Sequence, residues 1–368
     1  MKLKERISWL MGTVQKSLFP HLDECFPEPL TEREKYLVKI LELIQIEKHV
    51  PVSARRQWLG RPIKEREAIA RAFVAKAVFR YQHTSSLRNE LQSTPNLRLI
   101  CGFTMRKDVP SESTFSRAFC EFAKAGLGVI IHDSLVKEHL SSELIGHVSR
   151  DSTAIVGREK PAKKVKRTKV AKKKGRPAKG EDRPPVEPKR LDVQLSQSAQ
   201  ESIALLPNKC DRGVKRNAKG YTETWNGFKL HLDVNDCGLP LSAVLTSASV
   251  HDSQVAIPLM KLTSEKVYYC YDLMDAAYDA DQIWSLSKDL GHVPIIDRNP
   301  RRTEVIPMAP HEAVRYNERT ASERCNSRLK EDFGGRSVMV RGADKVMMHL
   351  MFGVLALFAD QLLKVTGC

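Results

Sequence analysis

Between Arg158 and Arg190 the chain carries 15 Lys/Arg against 4 Asp/Glu and almost no large apolar side chain. Such a run cannot bury enough apolar surface to offset the entropy of ordering it, so no core passes through it. The fold must be assembled from the residues on either side, with about 158–205 expected as a disordered basic insertion. The run also holds most of the formal charge of +16 at pH 7. A surplus of this size favours a polyanionic partner, with DNA or RNA the first candidate.

Before the insertion the periodicity is helical. Thr31 and Glu34 stand at capping-box spacing, and Tyr36, Leu37, Ile40, Leu41 and Ile44 follow at helical period. Pro62 is placed to open a second helix carrying Ile69, Phe73, Val74, Ala77 and Tyr81 on its inner face. A short helix over Leu87–Leu91 is expected to end at Pro95, and Ser111 is placed to cap a helix with Phe115, Phe119 and Phe122 on one stripe. Arg80, Arg88, Arg98, Arg106 and Arg117 fall on outer faces, where they suit a DNA-end-binding module or are simply solvated.

From Val148 the pattern changes to that of an α/β domain with a mixed sheet. Val148–Val156 is short and β-branched around Asp151. Trp225–Val234 and Leu239–Ser249 alternate as strands across the turn Asn235-Asp236-Cys237-Gly238. A helix to about Leu262, a buried strand over Val267–Leu273, a helix capped by Asp279 and stopped by Gly291, a strand over Val293–Ile296 and a long helix from Tyr316 complete the order. The division is therefore a helical N-terminal domain over 1–145 and an α/β domain over 146–368.

Several function classes drop out. The stretch to Leu18 reads as an amphipathic helix without the apolar block of a signal peptide. Val346–Leu363, the most apolar segment, is interrupted by His349 and Asp360, so a buried terminal helix is expected and no membrane partner. Eight cysteines are scattered singly, which supports neither a zinc knuckle nor a redox motif. A cytosolic protein is expected.

Tyr316, Arg319, Glu323 and Lys330 stand three, four and seven residues apart. At about 100° per residue they fall within an arc of about 60°, on one helical stripe. A carboxylate flanked by two cations and a phenol is costly to bury, but makes sense facing phosphates and a metal. This pattern resembles the Tyr-Arg-Glu-Lys signature of DDE insertion-sequence transposases. Arg150–Ile155, Asn226–His231, Thr246–Ser253 and Asp275–Asp279 are similar to further motifs of the same catalytic domains, and Cys101–Phe103 with Val109–Arg117 to their helical N-terminal domain.

The resemblance implies an RNase H-like fold and metal-dependent cleavage at transposon ends followed by strand transfer into target DNA. It implies two Mg²⁺ or Mn²⁺ ions held by Asp151, Asp275 and Glu323, with Tyr316, Arg319 and Lys330 at the reacting DNA. It also implies double-stranded DNA as partner, a homodimer on DNA, and a nucleoid-associated protein. Two other functions keep the same residues: a catalytically silent DNA-binding protein of transposase descent, and an RNase H-like nuclease that does not join.

Other residues compete for roles. Asp272 is the alternative to Asp275 at the strand end, and Asp252 is either a helix cap or an auxiliary acid. Asp233 reads as a strand-surface residue, His231 and His251 as core or rim histidines, and Trp225 as a core residue or a base-stacking one. Lys172-Lys173-Lys174-Gly175-Arg176-Pro177-Ala178-Lys179 resembles an AT-hook whose Arg176 would enter a narrow minor groove, or serves as a nonspecific phosphate-binding tether.

Overall fold

A computed structural model describes residues 26–50, 65–163, 188–216, 219–300 and 307–367. The amphipathic stretch to Leu18, the helix start at Pro62, and the basic residues Lys172, Lys173, Lys174 and Arg176 lie outside them.

The first helices are α1 (Glu32–Ile44), α2 (Arg66–Val78), α3 (Thr84–Ser93), α4 (Pro95–Cys101), α5 (Glu112–Lys124) and α6 (Leu127–Leu140). The Thr31–Glu34 capping box forms, with the Thr31 amide donating to Glu34 at 2.8 Å. α3 stops at Ser93, with Thr94 extended just before Pro95, as the sequence suggests; Pro95 also opens α4 at a first-turn position, where its missing N–H leaves no helical bond unmade. Phe115, Phe119 and Phe122 are buried, as their spacing predicts. The outer arginines divide: Arg88 donates to the Pro110 carbonyl and Arg98 to that of Leu91, so these two tie helices together.

The sheet follows the path β2 (Asp211–Arg216), β3 (Thr222–Asn235), β1 (Leu144–Val156), β5 (Tyr268–Met274), β6 (Val293–Ile296), and β4 (Pro240–Ser247) pairs with β3. β3 is antiparallel to β1 and β4, whereas β1, β5 and β6 run parallel. A hairpin against a central strand, followed by two parallel strands reached through helices, is the RNase H-like mixed α/β arrangement. The Asn235–Gly238 turn holds the hairpin: Asn235 Oδ1 accepts the Leu239 amide at 2.8 Å and Gly238 takes φ +78°. At Gly227 a Cβ would stand 2.1 Å from the Ile155 carbonyl oxygen, so only glycine lets β3 run this close to β1.

The helices of this half are α7 (Arg190–Ser196), α8 (Ala199–Ala204), α9 (Ser253–Ser264), α10 (Asp281–Asp289), α11 (Pro310–Tyr316), α12 (Thr320–Glu331) and α13 (Ala343–Thr366). Four differ from the sequence reading. Residues 190–204, expected within the disordered insertion, form α7 and α8; Leu191 and Ile203 pack beside α9, and Lys261 donates to the Gln194 and Leu195 carbonyls at 2.9 Å. Asp279 does not cap α10, which begins at Asp281; its carboxylate instead takes the Trp284 indole N–H at 3.0 Å and the Asn299 amide at 3.0 Å. The helix expected from Tyr316 starts at Pro310 and passes through a 3₁₀ turn over Asn317–Arg319.

α13 is long and apolar enough to cross a membrane, yet it is mostly buried inside the protein. It packs against α1, α2, α5 and α6 on one side and against α12 and β4 on the other. One hydrophobic core therefore runs from Leu37 and Phe73 through Phe352 and Phe358 to Leu230 and Leu232. The boundary near residue 145 marks a change of element type, with packing continuous across it. Asp360, the acid that interrupts this helix, is buried and accepts the Tyr36 hydroxyl at 2.6 Å and the Arg328 guanidinium.

Candidate active site

Side chains alternate across a strand, so β1 sends Asp151 to one face and Arg150 to the other. In the parallel register Ser149 stands opposite Leu273. Asp151 lies two residues beyond this last pair on β1, and Asp275 directly follows the end of β5 at Met274. Burial first, then the neighbouring Asp275 and Asp252 charges, push the Asp151 carboxyl up to about 6, against the Ser152 amide and Arg319. Asp275 is raised as well, by burial and then by Asp252 and Asp297, although it accepts the Ala277 amide at 2.9 Å and feels Arg319.

α12 lies across this strand end. Asn326 Nδ2 donates to Asp151 Oδ2 at 3.1 Å. Arg319 lowers both aspartates, stands 5.6 Å from the centre of the Tyr316 ring, and donates to Glu323 Oε1 at 2.6 Å. Burial and the Asp297 and Asp275 charges push the Tyr316 hydroxyl up to about 12. Lys330 is held below its ordinary range by burial and by Lys215 and Arg336, with Asp151 opposing.

The structure therefore brings Asp151, Asp275, Arg319 and Tyr316 together, with Lys330 within reach of the Asp151 charge. It does not close the set at Glu323. That side chain is half exposed and turned to Arg319, and no group of three metal-binding side chains forms among the described residues. Glu323 sits one helical turn before Asn326, which touches Asp151, so the two share a helical face.

Asp272 points to the other face. With Asp233 it flanks Arg150: Nη2 to Asp233 Oδ2 is 2.7 Å and Nη1 to Asp272 Oδ1 is 3.2 Å, all three fully buried. Thr263 also donates to Asp233 Oδ2, at 2.6 Å, and Ser287 to Asp272 Oδ2, at 2.7 Å. Asp233, read from sequence as a surface residue, is thus part of a buried ion cluster. Its place in an alternating strand gave no sign of this, because its partners come from β1 and α9.

Asp252 occupies the α9 cap position without making a cap bond. It accepts Lys229 Nζ at 2.8 Å and lies 4.0 Å from His231 Nδ1. Burial raises its carboxyl, but His231, Lys229 and Ser152 outweigh that and hold it below the ordinary range. His231 is buried, bonded to Thr246 at 2.9 Å and lowered to about 4 by that burial, a core histidine as expected. His251 contacts Ser253 on the rim. Trp225 is half-buried, its ring over Gly213 and its N–H bonded to the Phe228 carbonyl at 3.1 Å.

Sequence reading passed over Asp297, Asn326 and Lys215. Asp297 had a legible signal, since it follows the buried strand β6 as Asp275 follows β5. Asn326 lay three residues from Glu323 on the same helical face. Lys215 had none, because only the β2–β3 pairing brings it near.

The hard oxygen donors suit a divalent cation: Asp151 and Asp275 are both raised by burial and then by neighbouring carboxylates, and so are short of positive charge. Comparison with known families adds two matches. Residues 209–359 match the transposase DDE domain, and residues 26–120 match a transposase domain (DUF772). Together they span about two thirds of the chain, covering Asp275 and Glu323 but not the Asp151 strand, which the basic insertion separates from the rest. No curated protein and no solved structure matches the chain.

Proposed function

Because the chain belongs to the DDE transposases, we propose that it cuts DNA at the ends of a mobile element and joins the freed 3′ ends to target DNA. The observation that carries this reading is that Asp151, midway along β1, feels the charge of Asp275, just past the end of the neighbouring parallel strand β5, while Arg319 acts on both.

In this proposal Asp151, Asp275 and Glu323 would hold two Mg²⁺ or Mn²⁺ ions, which would supply Lewis-acid activation of phosphodiester oxygens when bound. Glu323 would leave Arg319 to take that role, and the guanidinium would then be free to grip a phosphate oxygen. The Tyr316 ring beside Arg319 fixes where that charge can reach. Lys330, further along α12, supplies a second cation to the DNA backbone. Asn326 orients the Asp151 carboxylate, and Lys229 keeps Asp252 anionic at the edge of the site. The protein would work as a homodimer on DNA, one subunit at each end, in the cytoplasm on the nucleoid.

The test is cleavage of duplex DNA carrying the inverted repeats that flank the gene, with and without Mg²⁺. Asp151→Asn, Asp275→Asn and Glu323→Gln are each expected to abolish cleavage while leaving DNA binding intact. Near-normal cleavage by any one of them would remove that residue from the site. Cleavage without joined products from a 3′-hydroxyl donor would make the protein a nuclease, and no metal-dependent cleavage at all would leave a DNA-binding protein.

A further inference from the structure

A cleft of about 460 Å³ opens between the N-terminal helices and the segment leading into α13. Phe73, Phe119 and Phe352 line its apolar part. Four cations also line it: Lys76 from α2, Arg158 just after β1, Arg341, and Lys345 in the first turn of α13. Among the described residues no carboxylate does. Glu159, beside Arg158 in sequence, spends its carboxylate on the Gly342 amide at 3.1 Å.

The four cations are differently engaged. Lys76, about nine-tenths buried, donates to the Gln82 carbonyl at 3.1 Å, and burial lowers its ammonium to about 8. Arg158 reaches the Met339 carbonyl at 3.5 Å. Arg341 and Lys345 have neither a hydrogen bond nor an ion pair among the described residues. Gathering like charges around a partly apolar cleft costs energy unless an anion arrives to share them.

Two features say what that anion is. The cleft adjoins the end of α12 that carries Lys330: Gly334 lines it, and the Arg336 amide returns to the Lys330 carbonyl at 3.3 Å. The Lys330 charge acts on Asp151, so α12 links the carboxylate site to the Gly334 rim of the cleft. At the other rim, Arg158 is where the 33-residue run with its 15 Lys/Arg begins. One polyanion long enough to touch the carboxylate site, the cleft and the basic run satisfies all three, which a small anion cannot.

We propose that this cleft binds the phosphate backbone of double-stranded DNA, with Arg341 and Lys345 as its principal contacts. The idea rests on the DNA reading above but concerns a surface outside the carboxylate site.

The experiment measures binding of the full-length protein to a fluorescent duplex of about 30 base pairs, by anisotropy between about 50 and about 200 mM KCl. Wild type is compared with R341Q/K345Q and with K137Q/K288Q, which removes two exposed charges elsewhere. Each lost phosphate contact lowers the salt slope by about 0.9, so R341Q/K345Q should lose about 1.8, a wild-type-to-variant affinity ratio that shrinks about 12-fold over that salt range. K137Q/K288Q should keep the wild-type slope, and unchanged melting curves would show that both variants fold.

Equal slopes in the two variants would overturn the cleft, since net charge alone would account for binding. So would a cleft variant that binds the duplex like wild type, or one that loses sodium pyrophosphate binding alone. A wild type that binds the duplex and cleaves terminal DNA, with an unaffected cleft variant, would sink only this inference. A wild type that binds no duplex would sink the DNA reading with it.

Discussion

Replacing Arg150 with methionine removes the one guanidinium that faces Asp233 and Asp272, and keeps a side chain of similar reach. Both carboxylates have no exposure to water. Arg150 supplies bonds of 2.7 Å and 3.2 Å; Thr263 remains for Asp233, and Ser287, Tyr269 and His292 remain for Asp272. Breaking a buried ion pair by removing one partner costs roughly 3–5 kcal/mol, a large share of the roughly 5–15 kcal/mol that holds a domain folded. The loss should depend on pH. In the wild type burial raises Asp272, but Arg150, His292 and Ser287 outweigh it and hold its carboxyl low. Without Arg150 both carboxyls lie above their unfolded values, so their contribution is full below the unfolded pKa and is lost as pH rises through the folded one. The variant's deficit should therefore be larger at pH 8 than at pH 5 in urea unfolding followed by circular dichroism. R150M/D233N/D272N, which buries no charge, should recover most of the loss. A deficit under about 1 kcal/mol at pH 8, or one that pH leaves unchanged, would refute the view that Arg150 anchors the strands beneath the site.

In EDTA, Asp151→Asn should be more stable than wild type at pH 8 by about 1–3 kcal/mol, because burial and like charge raise the Asp151 carboxyl from 3.8 to about 6. That raised pKa means stability present below the unfolded value and lost as pH rises through 6, so the gain should vanish near pH 4; a gain that persists there would contradict the cause given. Mg²⁺ should then stabilise the wild type and leave Asp151→Asn unmoved, as read by thermal midpoints. Arg319→Ala and Lys330→Ala should slow cleavage by about 10²–10³-fold without abolishing it, since each removes one positioned cation; complete loss in single-turnover assays would make either as essential as the carboxylates.

Much of the catalytic half was legible because its signals are local. The turn at Asn235 and Gly238, the apolar runs of β1, β5 and β6, and Asp275 directly after β5 read as they fold. What was hidden depends on pairing between distant segments. Asp233 and Asp272 look like ordinary strand residues until Arg150 is set between them. α7 and α8 were masked by the basic run beside them, although Ser198 and Glu201 form a capping box with the Ser198 amide donating at 2.8 Å. The Arg319–Glu323 contact is an ordinary i,i+4 pair, yet spacing alone could not show that it would draw Glu323 toward Arg319 and away from the aspartates.

Helix α13 supplies Phe352 to the aromatic packing around Phe73 and Phe119, with ring centres 5.4 Å and 6.1 Å away. The middle of the first half's interior is thus made of side chains translated after everything else the structure describes. The described helices before residue 140 therefore lack part of their core until residues 343–366 have been made, and a chain stopped short of that helix would leave Phe73 and Phe119 without Phe352.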